Sequence, residues 1–556
     1  MISSSARWTL SVVAFVLVAC GSEPNPPTPI DCSGVSPTSL APGEFTILDA
    51  SQSACVRIPA AGASDAEYLY VAMATEGTET SGGVTATYRL RGGATPSASV
   101  ASRSQAVFDQ APARAQAFHD RLRARERDLS RQPAVVEASR ARIAASAASV
   151  PPVVGAKRMF NVCATTSCDS FVTSLATAKV VGQRVAIFLD DSAGSGYTQT
   201  DLDNVGNLFD DYLYPIDTTA FGPASDLDNN GVVTVLLTQN VNKLSPDCNA
   251  TGSVILGFFY GLDLLPSQAN SNGGEVFYGL VPGSATPGCT ISDNFATQTL
   301  PGVFIHEFQH MISFNQHVLV RGGISEDTWL NEALSHFAEE LGGENVPDAF
   351  CMPAFGNCES QFNGGNIDNA YGYLDDPEAS FLIEPGTSSG TLEERGANWL
   401  FLRWLADHFA ATQPQGTELT RALVLTNRTG STNVEAVTGD AFGTLVSQWQ
   451  MANYLESLSG FTPSSDRLRY TSLDLKGIYQ ANFNNGVFAK PYPLTPDVTT
   501  NGVYDRTGVL RAGSGRHLRV VQQASSGEVA LLLTNGAGTA SVPSTAGPRI
   551  ALVRVR

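Results

Sequence analysis

The two histidines in VFIHEFQHMISFNQH (residues 303–317) constrain the fold most strongly. His306 and His310 stand four positions apart, a spacing that puts two side chains on one face only if the segment is an α-helix. Both rings can then direct a nitrogen at one metal ion, which Glu307 flanks. A carboxylate in that position can act as general base toward a metal-activated water. The run therefore predicts half of a metal site, and a third ligand is required.

A candidate third ligand lies in SEDTWLNEALSHFAEELGG (residues 325–343). Ser325 or Asp327 can cap a second helix that has apolar side chains at helical spacing, and Glu332 falls in its first turns. Because a short loop joins the two helices, they can be antiparallel neighbours, which would bring Glu332 back to the histidine pair. Two histidines, one glutamate and an open water position are the ligand set of a catalytic zinc.

Two residues of the second helix share the face of Glu332. His336 follows it by four positions and Glu339 by seven, so both are candidates to contact the ligands from behind. An ordinary helix-surface position explains them equally well. His317, seven residues after His310, is expected to be solvated near the end of the first helix.

A second metal site is predicted less completely by the sequence DLDNNG. Asp226, Asp228 and Asn230 place oxygen ligands at alternate positions, and Gly231 stands at the sharp turn, as in the first half of a calcium loop. Position 12 of such a loop is Leu237 instead of a glutamate. A tight turn into a strand explains the same letters, and any further calcium ligands would come from elsewhere in the chain.

The first twenty residues are typical of a signal peptide. MISSSARWTLSVVAFVLVAC has one positive side chain, Arg7, before an apolar stretch too short to span a bilayer comfortably. Residues 17–20, LVAC, resemble the bacterial lipobox, in which the cysteine is lipidated; an ordinary signal peptide with a chance cysteine is the alternative. The prediction is a lipoprotein held to the outer membrane or cell surface through Cys20, or an extracellular protein, with a Pro-rich tether at 21–31.

Cysteine usage agrees with export. Without Cys20, eight of the nine cysteines remain, an even number suited to an oxidising compartment. Eight cysteines permit about 105 connectivities, and a thiol metal site is disfavoured because the repeated CxxC of structural zinc is missing. We expect pairing in sequence order: Cys32–Cys55, Cys163–Cys168, Cys248–Cys289 and Cys351–Cys358.

Length and charge limit the function further. A chain of 556 residues is too long for a single core. With 34 Lys and Arg against 53 Asp and Glu, the net charge is −19, which argues against a nucleic-acid partner because phosphate binding needs a local excess of cations.

The chain divides by pattern into parts that together predict an α+β protein. Residues 32–95 and 486–556 hold short strand-like runs between turn residues and are expected to form two β-sandwich-like domains. Residues 151–485 place strands before amphipathic helices and form the domain that carries the metal motif. Residues 96–150 are helical and basic, with nine arginines and five acidic residues in 101–150; a solvated linker and a prosegment that covers an acidic cleft both fit them.

The motif segments resemble a known family. FIHEFQHMISF and TWLNEALSHFAEEL are similar to the gluzincin metallopeptidases, most of all to the hyicolysin family of secreted bacterial zinc endopeptidases, and the resemblance covers roughly 155–480. It implies that His306, His310 and Glu332 bind zinc and that Glu307 is the catalytic base. It also implies a zincin-like fold in which substrate lies along an edge strand, for which EVFYGLV is the candidate.

The same resemblance implies a side chain that stabilises the oxyanion. No motif identifies it, so Tyr371, Tyr373 and His408 remain candidates, each of which fits a packing role as well. His119 and His517 lie in flanking regions and indicate no function.

These features together predict an exported zinc endopeptidase that acts on proteins or peptides. The alternative is a surface lipoprotein that serves as a binding or adhesion module and whose zincin domain is inactive. A zinc exopeptidase would need a site for a free chain terminus, and the sequence offers no motif for one.

Overall fold

The structure, a computed structural model, describes residues 31–93, 113–146, 149–194, 196–386, 390–412 and 415–556. The predicted signal peptide with Cys20 and nearly all of the predicted tether lie outside these residues. None of the helices in the described part combines the length and hydropathy needed to cross a bilayer.

The described residues are mixed α and β, in agreement with the predicted class. Their strands are β1 (Phe45–Asp49), β2 (Cys55–Ile58), β3 (Ala66–Ala74), β4 (Thr85–Gly92), β5 (Lys157–Cys163), β6 (Phe171–Val181), β7 (Val185–Asp190), β8 (Val233–Leu237), β9 (Gly257–Phe259), β10 (Val276–Gly279), β11 (Gly283–Thr286), β12 (Cys289–Ile291), β13 (Asp497–Thr500), β14 (Tyr504–Arg511), β15 (Gly515–Gln522), β16 (Val529–Asn535) and β17 (Pro548–Arg554).

The helices lie between and after the strands of the first half. They are α1 (Ala113–Ser130), α2 (Pro133–Ala145), α3 (Gln199–Leu208), α4 (Tyr214–Phe221), α5 (Gln239–Asn242), α6 (Cys248–Thr251), α7 (Asp293–Phe314), α8 (Thr328–Asn345), α9 (Cys358–Phe362), α10 (Gly364–Asp375), α11 (Leu392–Phe409), α12 (Thr417–Val424), α13 (Gly430–Thr438), α14 (Phe442–Leu455) and α15 (Leu475–Asn484).

The two ends of the chain build one two-sheet unit, so the prediction of two separate sandwich domains is wrong. One sheet has the order β1-β17-β3-β15-β13 and the other β14-β4-β16-β2, so each mixes strands from both ends. β3, buried along its whole length, lies between two C-terminal strands and pairs antiparallel with both. Alternating patterns predict strands but not their partners, and four or five short strands bury less apolar surface alone than nine do together.

A six-stranded sheet of order β5-β6-β7-β8-β10-β9 forms the centre of the part of the chain that carries the histidine motif. β7 lies within RVAIFLDD (184–191) and β8 within VVTVLLTQN (232–240), and the two strands run parallel to each other and to β10. β10, from EVFYGLV, is an interior strand, and the edge belongs to β9. The prediction of β10 as the edge is therefore wrong; its continuous apolar run is typical of a strand covered on both sides.

Helices α7 and α8 contact each other, and α11 packs on α8. Ser292 caps α7 through the Phe295 amide, and α8 begins after Asp327, one of the two predicted cap positions. Four buried tryptophans fill the core of this helical layer: Trp329, Trp399, Trp404 and Trp449. The layer therefore fixes the relative position of the two motif helices.

Helix α1 belongs to the same core. Phe118 and Leu122 are buried, and so are the charged side chains of Arg123 and Glu126. The expectation of helices in 96–150 is confirmed for α1 and α2, but a solvated linker does not describe α1. The four cysteine pairs form as expected in sequence order.

Candidate metal centre

The two motif histidines meet on the buried face of α7. One helical turn separates them, and their Nε2 atoms lie 3.2 Å apart. Burial lowers the pKa of His310 well below its usual value, so this ring is neutral, as a metal ligand must be.

Glu332 completes a three-ligand group from α8. Its Oε2 lies 3.6 Å from Nε2 of His306, and its Oε1 lies 3.7 Å from Nε2 of His310. Oε1 is buried and has no hydrogen-bond partner among the described residues. Ligand atoms about 2.0–2.1 Å from a tetrahedral zinc stand roughly 3.3 Å from one another, so these separations fit that ion.

Polar neighbours hold the far side of each imidazole. Nδ1 of His306 lies 2.8 Å from Oε1 of Glu339, and Nδ1 of His310 lies 3.2 Å from Oδ1 of Asn331. Nδ1 of His336 contacts the other oxygen of Glu339 at 3.1 Å. Glu339 therefore stands behind His306 and Asn331 behind His310, and these contacts direct the two Nε2 atoms toward Glu332. His336 holds the other oxygen of Glu339, as its spacing from Glu332 allowed.

The charge balance around His306 favours a cation. Burial alone would lower its pKa, but hydrogen bonds to Glu332 and Glu339 outweigh burial and raise that pKa to about 10. The negative charge that attracts a proton to this ring would equally attract a metal ion.

Glu307 is buried beside the ligands and fixed by the edge strand. The Phe259 amide of β9 donates to its Oε2 at 2.7 Å. Burial raises the pKa of Glu307 above its usual value, although this hydrogen bond opposes the shift. The carboxylate thus has one oxygen engaged with the backbone and the other available for chemistry.

An open cleft of about 920 Å³ leads to this group. Its walls include His306, Glu307, Glu332, His336 and Glu339 together with residues from before the edge strand, from α1 and from the α9–α10 region: Ala115, Gln116, His119, Val254, Leu256, Gly257, Phe362 and Asp368. A cleft of this size and openness admits an extended polypeptide segment.

His119 is the residue of this wall that sequence reasoning missed. Its side chain is partly buried, and its enclosed Nδ1 has no hydrogen-bond partner among the described residues. Burial lowers its pKa to about 3, so the ring is neutral. It comes from a basic helix more than 180 positions before the motif. No other candidate site residue stands at helical spacing from His119, so no sequence pattern assigned it to the site. The packing of α1 brings it to the cleft.

The three candidates for the oxyanion-stabilising side chain lie away from the cleft. The Tyr371 hydroxyl accepts from the Lys490 amide at 2.9 Å, that of Tyr373 accepts from Gln450, and His408 contacts the Arg469 carbonyl. None of the three lines the cleft, so packing explains them. His317 is fully buried, and the prediction that it is solvated is wrong.

Arg395 of α11 supports Glu332 from outside the cleft. It is completely buried; its Nε lies 4.0 Å from Oε2 of Glu332, its Nη1 lies 3.3 Å from Glu384, and its Nη2 pairs with Asp120 of α1. Burial would raise the pKa of Glu332, but Arg395 and the two histidines outweigh it and hold that pKa well below its usual value. Glu332 is therefore ionised and could serve as a metal ligand.

Comparison with known proteins supports a metallopeptidase relationship. Over 146 residues, 26% of this chain, the sequence is 32% identical to the neutral metalloprotease ShpI of Staphylococcus hyicus. The matched part spans about a third (31%) of that relative's length. No protein-family model matches the chain.

Proposed function

We propose that the protein is an exported zinc-dependent endopeptidase of the gluzincin type. His306, His310 and Glu332 would hold the zinc ion, and Glu307 would be the general base. The observation that carries the proposal is the convergence of the three ligand side chains beside an open cleft that is lined by His306, Glu332 and the carboxylate of Glu307. The zincin-like character of residues 151–485 is part of the same proposal.

Each side chain of the proposed active site would have a separate role in hydrolysis. Bound zinc would supply Lewis-acid polarisation of the scissile carbonyl and lower the pKa of the attacking water. Because the Phe259 amide holds Oε2 of Glu307, Oε1 is free to accept the proton of that water and to pass it to the leaving amine. Glu339 and Asn331 keep the imidazoles in register while this happens.

The form of the cleft favours a polypeptide substrate. Val254, Leu256 and Gly257, from the edge strand and the segment before it, contribute to its wall, and an edge strand can pair with an extended peptide backbone. An adhesion module with an inactive centre would have no use for Glu307 in a catalytic position, and no contact of the described residues favours that alternative.

The decisive experiment replaces the base without disturbing its backbone contact. Glu307→Gln retains an oxygen that can accept from the Phe259 amide, so zinc content and folding should be unchanged while casein hydrolysis falls by about 10²–10⁴-fold. The matched control is Glu137→Gln on the exposed face of α2, which should hydrolyse casein like the wild type. Hydrolysis by Glu307→Gln at the wild-type rate, with zinc bound, would refute the mechanism.

Lipid anchoring through Cys20 is a separate part of the proposal. It rests on the LVAC sequence at residues 17–20. Mass spectrometry of the cell-derived protein should find a lipid-modified N-terminal Cys20, and Cys20→Ser should release the protein from membranes. An N-terminus that begins at Met1, or a Cys20→Ser variant that stays bound to membranes, would contradict lipid anchoring.

A further inference from the structure

We propose that the turn from Asp226 to Gly231 and the carboxylate of Glu275 form a calcium site that joins the starts of β8 and β10. One oxygen from each of Asp226, Asp228 and Glu275 lies within 4.8 Å of the others. None of these residues lines the catalytic cleft, and the proposal does not depend on the proposed peptidase activity.

The turn already has the shape of a cation-binding loop. Asn229 and Gly231 adopt positive φ angles of 53° and 77°, which fold the chain back on itself. The Gly231 amide donates to Oδ1 of Asp226 at 3.2 Å, and the Asn230 amide donates to Oδ1 of Asp228 at 3.2 Å. The two aspartates are thereby held on the same turn. Oδ2 of Asp228 also accepts from the side-chain amide of Asn230 at 2.8 Å, so a cation would share this oxygen with the amide or displace it.

Glu275 supplies independent evidence for a ligand at this turn. It arrives from a separate segment, immediately before β10, and is only 3% exposed. Its Oε1 accepts from the Leu227 amide at 2.8 Å, whereas its Oε2 has no hydrogen-bond partner among the described residues. The buried hydroxyl of Ser225 stands beside this carboxylate and partly offsets the rise that burial causes in the pKa of Glu275, but neither this hydroxyl nor Oε2 of Glu275 has a hydrogen bond of normal geometry to any described residue. A buried carboxylate oxygen left in this state is costly unless a cation meets it.

The charges around the site leave a surplus of negative charge. Burial, with a contribution from the neighbouring Asp228, raises the pKa of Glu275 to about 7. Arg158 is a nearby cation, but its guanidinium donates to the Asn272 carbonyl and lies over a phenyl ring. The pKa of Asp228 is also raised, because the effect of burial outweighs the attraction of Arg158 for this carboxylate. An added divalent ion would stabilise all three carboxylates in their charged form.

The donor set selects calcium among the common ions. Carboxylate, amide and hydroxyl oxygens without imidazole or thiolate are typical of a hard cation. Ligands bound to calcium at 2.3–2.6 Å lie at most about 5 Å apart, which the group satisfies, and a set spread over two segments adapts more readily to calcium than to the strict octahedron of magnesium. Glu275 thus supplies the acidic ligand that a calcium loop has at its position 12, where this chain has Leu237.

The consequence of binding would be to fasten the central sheet. Thr234 of β8 donates its amide to the Glu275 carbonyl at 2.7 Å, and β8 and β10 run parallel from this end. The Ser149 amide donates to the Asp228 carbonyl, so the segment after α2 ends at the same turn. Calcium would therefore stabilise the sheet without entering the chemistry.

The test is calcium binding by full-length protein that keeps its zinc throughout. Isothermal titration with calcium chloride should give one site per chain with a Kd between about 10⁻⁵ and 10⁻³ M. Saturation should raise the Tm by about 5 °C, and magnesium should raise it less. Glu275→Gln, which keeps the contact to the Leu227 amide, should lose at least tenfold in affinity while its calcium-free Tm stays at or above that of the wild type.

A second variant guards against misfolding of the first. Asp226 is exposed, so Asp226→Asn should fold normally and should also lose calcium affinity by about tenfold, whereas the exposed Asp211→Asn control should not. If calcium leaves the Tm of the wild type unchanged, the proposal is overturned. Equal calcium affinity in the wild type, Glu275→Gln and Asp226→Asn would overturn it as well.

Discussion

Helix α1 offers a sharp test of the structure around the candidate metal centre. One substitution in α1 should have opposite effects if the helix is a permanent wall of the cleft and if it is a removable prosegment. Phe118 of α1 is 0% exposed, and its ring meets that of Phe258 in the edge strand edge-to-face, with centroids 5.1 Å apart. Next to it, His119 lines the cleft. We consider Phe118→Ala.

The cost follows from three contributions. Removing a fully buried phenyl ring from the core forfeits about 2 kcal/mol of transfer free energy. A residual cavity of about 60–80 Å³ adds about 1.5–2 kcal/mol at ~24 cal/mol per Å³. Loss of the aromatic pair with Phe258 adds about 0.5–1 kcal/mol. The total of about 4–5 kcal/mol lies in the range of about 3–5 kcal/mol typical of Phe→Ala in cores.

Urea unfolding followed by tryptophan fluorescence measures this cost, because four tryptophans are buried in the helical layer. Phe483→Ala is the matched control; its ring is 40% exposed, so it should lose less than about 1 kcal/mol. If α1 is a permanent wall, Phe118→Ala lowers both the urea midpoint and the rate of peptide hydrolysis. A faster rate with an unchanged midpoint would refute this and identify α1 as a detachable prosegment.

Two further predictions concern buried carboxylates. Glu339→Gln removes the charge that faces Nδ1 of His306 and should weaken zinc binding by about tenfold without unfolding the protein; an unchanged Kd in competition with a chromophoric chelator would contradict this. Burial raises the pKa of Asp263 to about 7. Because the folded state then holds the proton more tightly than the unfolded state, the wild type loses stability as the pH rises from about 4 to 7. Asp263→Asn lacks this loss and can still meet the Tyr278 hydroxyl, so its Tm advantage should grow between pH 5 and pH 8; a difference in Tm independent of pH would refute the argument.

Local patterns in the sequence predicted the parts of the site that lie within one element or in two neighbouring ones. The i, i+4 spacing of His306 and His310 and the position of Glu332 both depend on helical geometry, which the surrounding apolar periodicity indicates. The structure brings these three side chains together. Their prediction needed only that the two helices be neighbours, and a short loop makes that probable on general grounds.

The missed features depend on pairing between distant segments. The position of β9 at the edge of its sheet follows from strand order, which its apolar residues do not encode. His119 and Glu275 reach their sites through the packing of a helix and through strand order, which no local pattern encodes. The merging of the two ends into shared sheets has the same cause, since strand propensity does not specify the partner.

The edge strand itself sets a limit on where a substrate can lie. The Phe259 amide donates to Glu307, and its carbonyl accepts from Nη2 of Arg123 in α1, so both backbone groups of this residue are already engaged. A peptide that added itself to the sheet could therefore pair only with the chain before Phe258, where Leu256 and Gly257 line the cleft. On this reasoning α1 has a second role besides packing in the core. Because it contacts the C-terminal end of β9, a peptide that pairs with this strand can bind on only one side of the candidate metal centre.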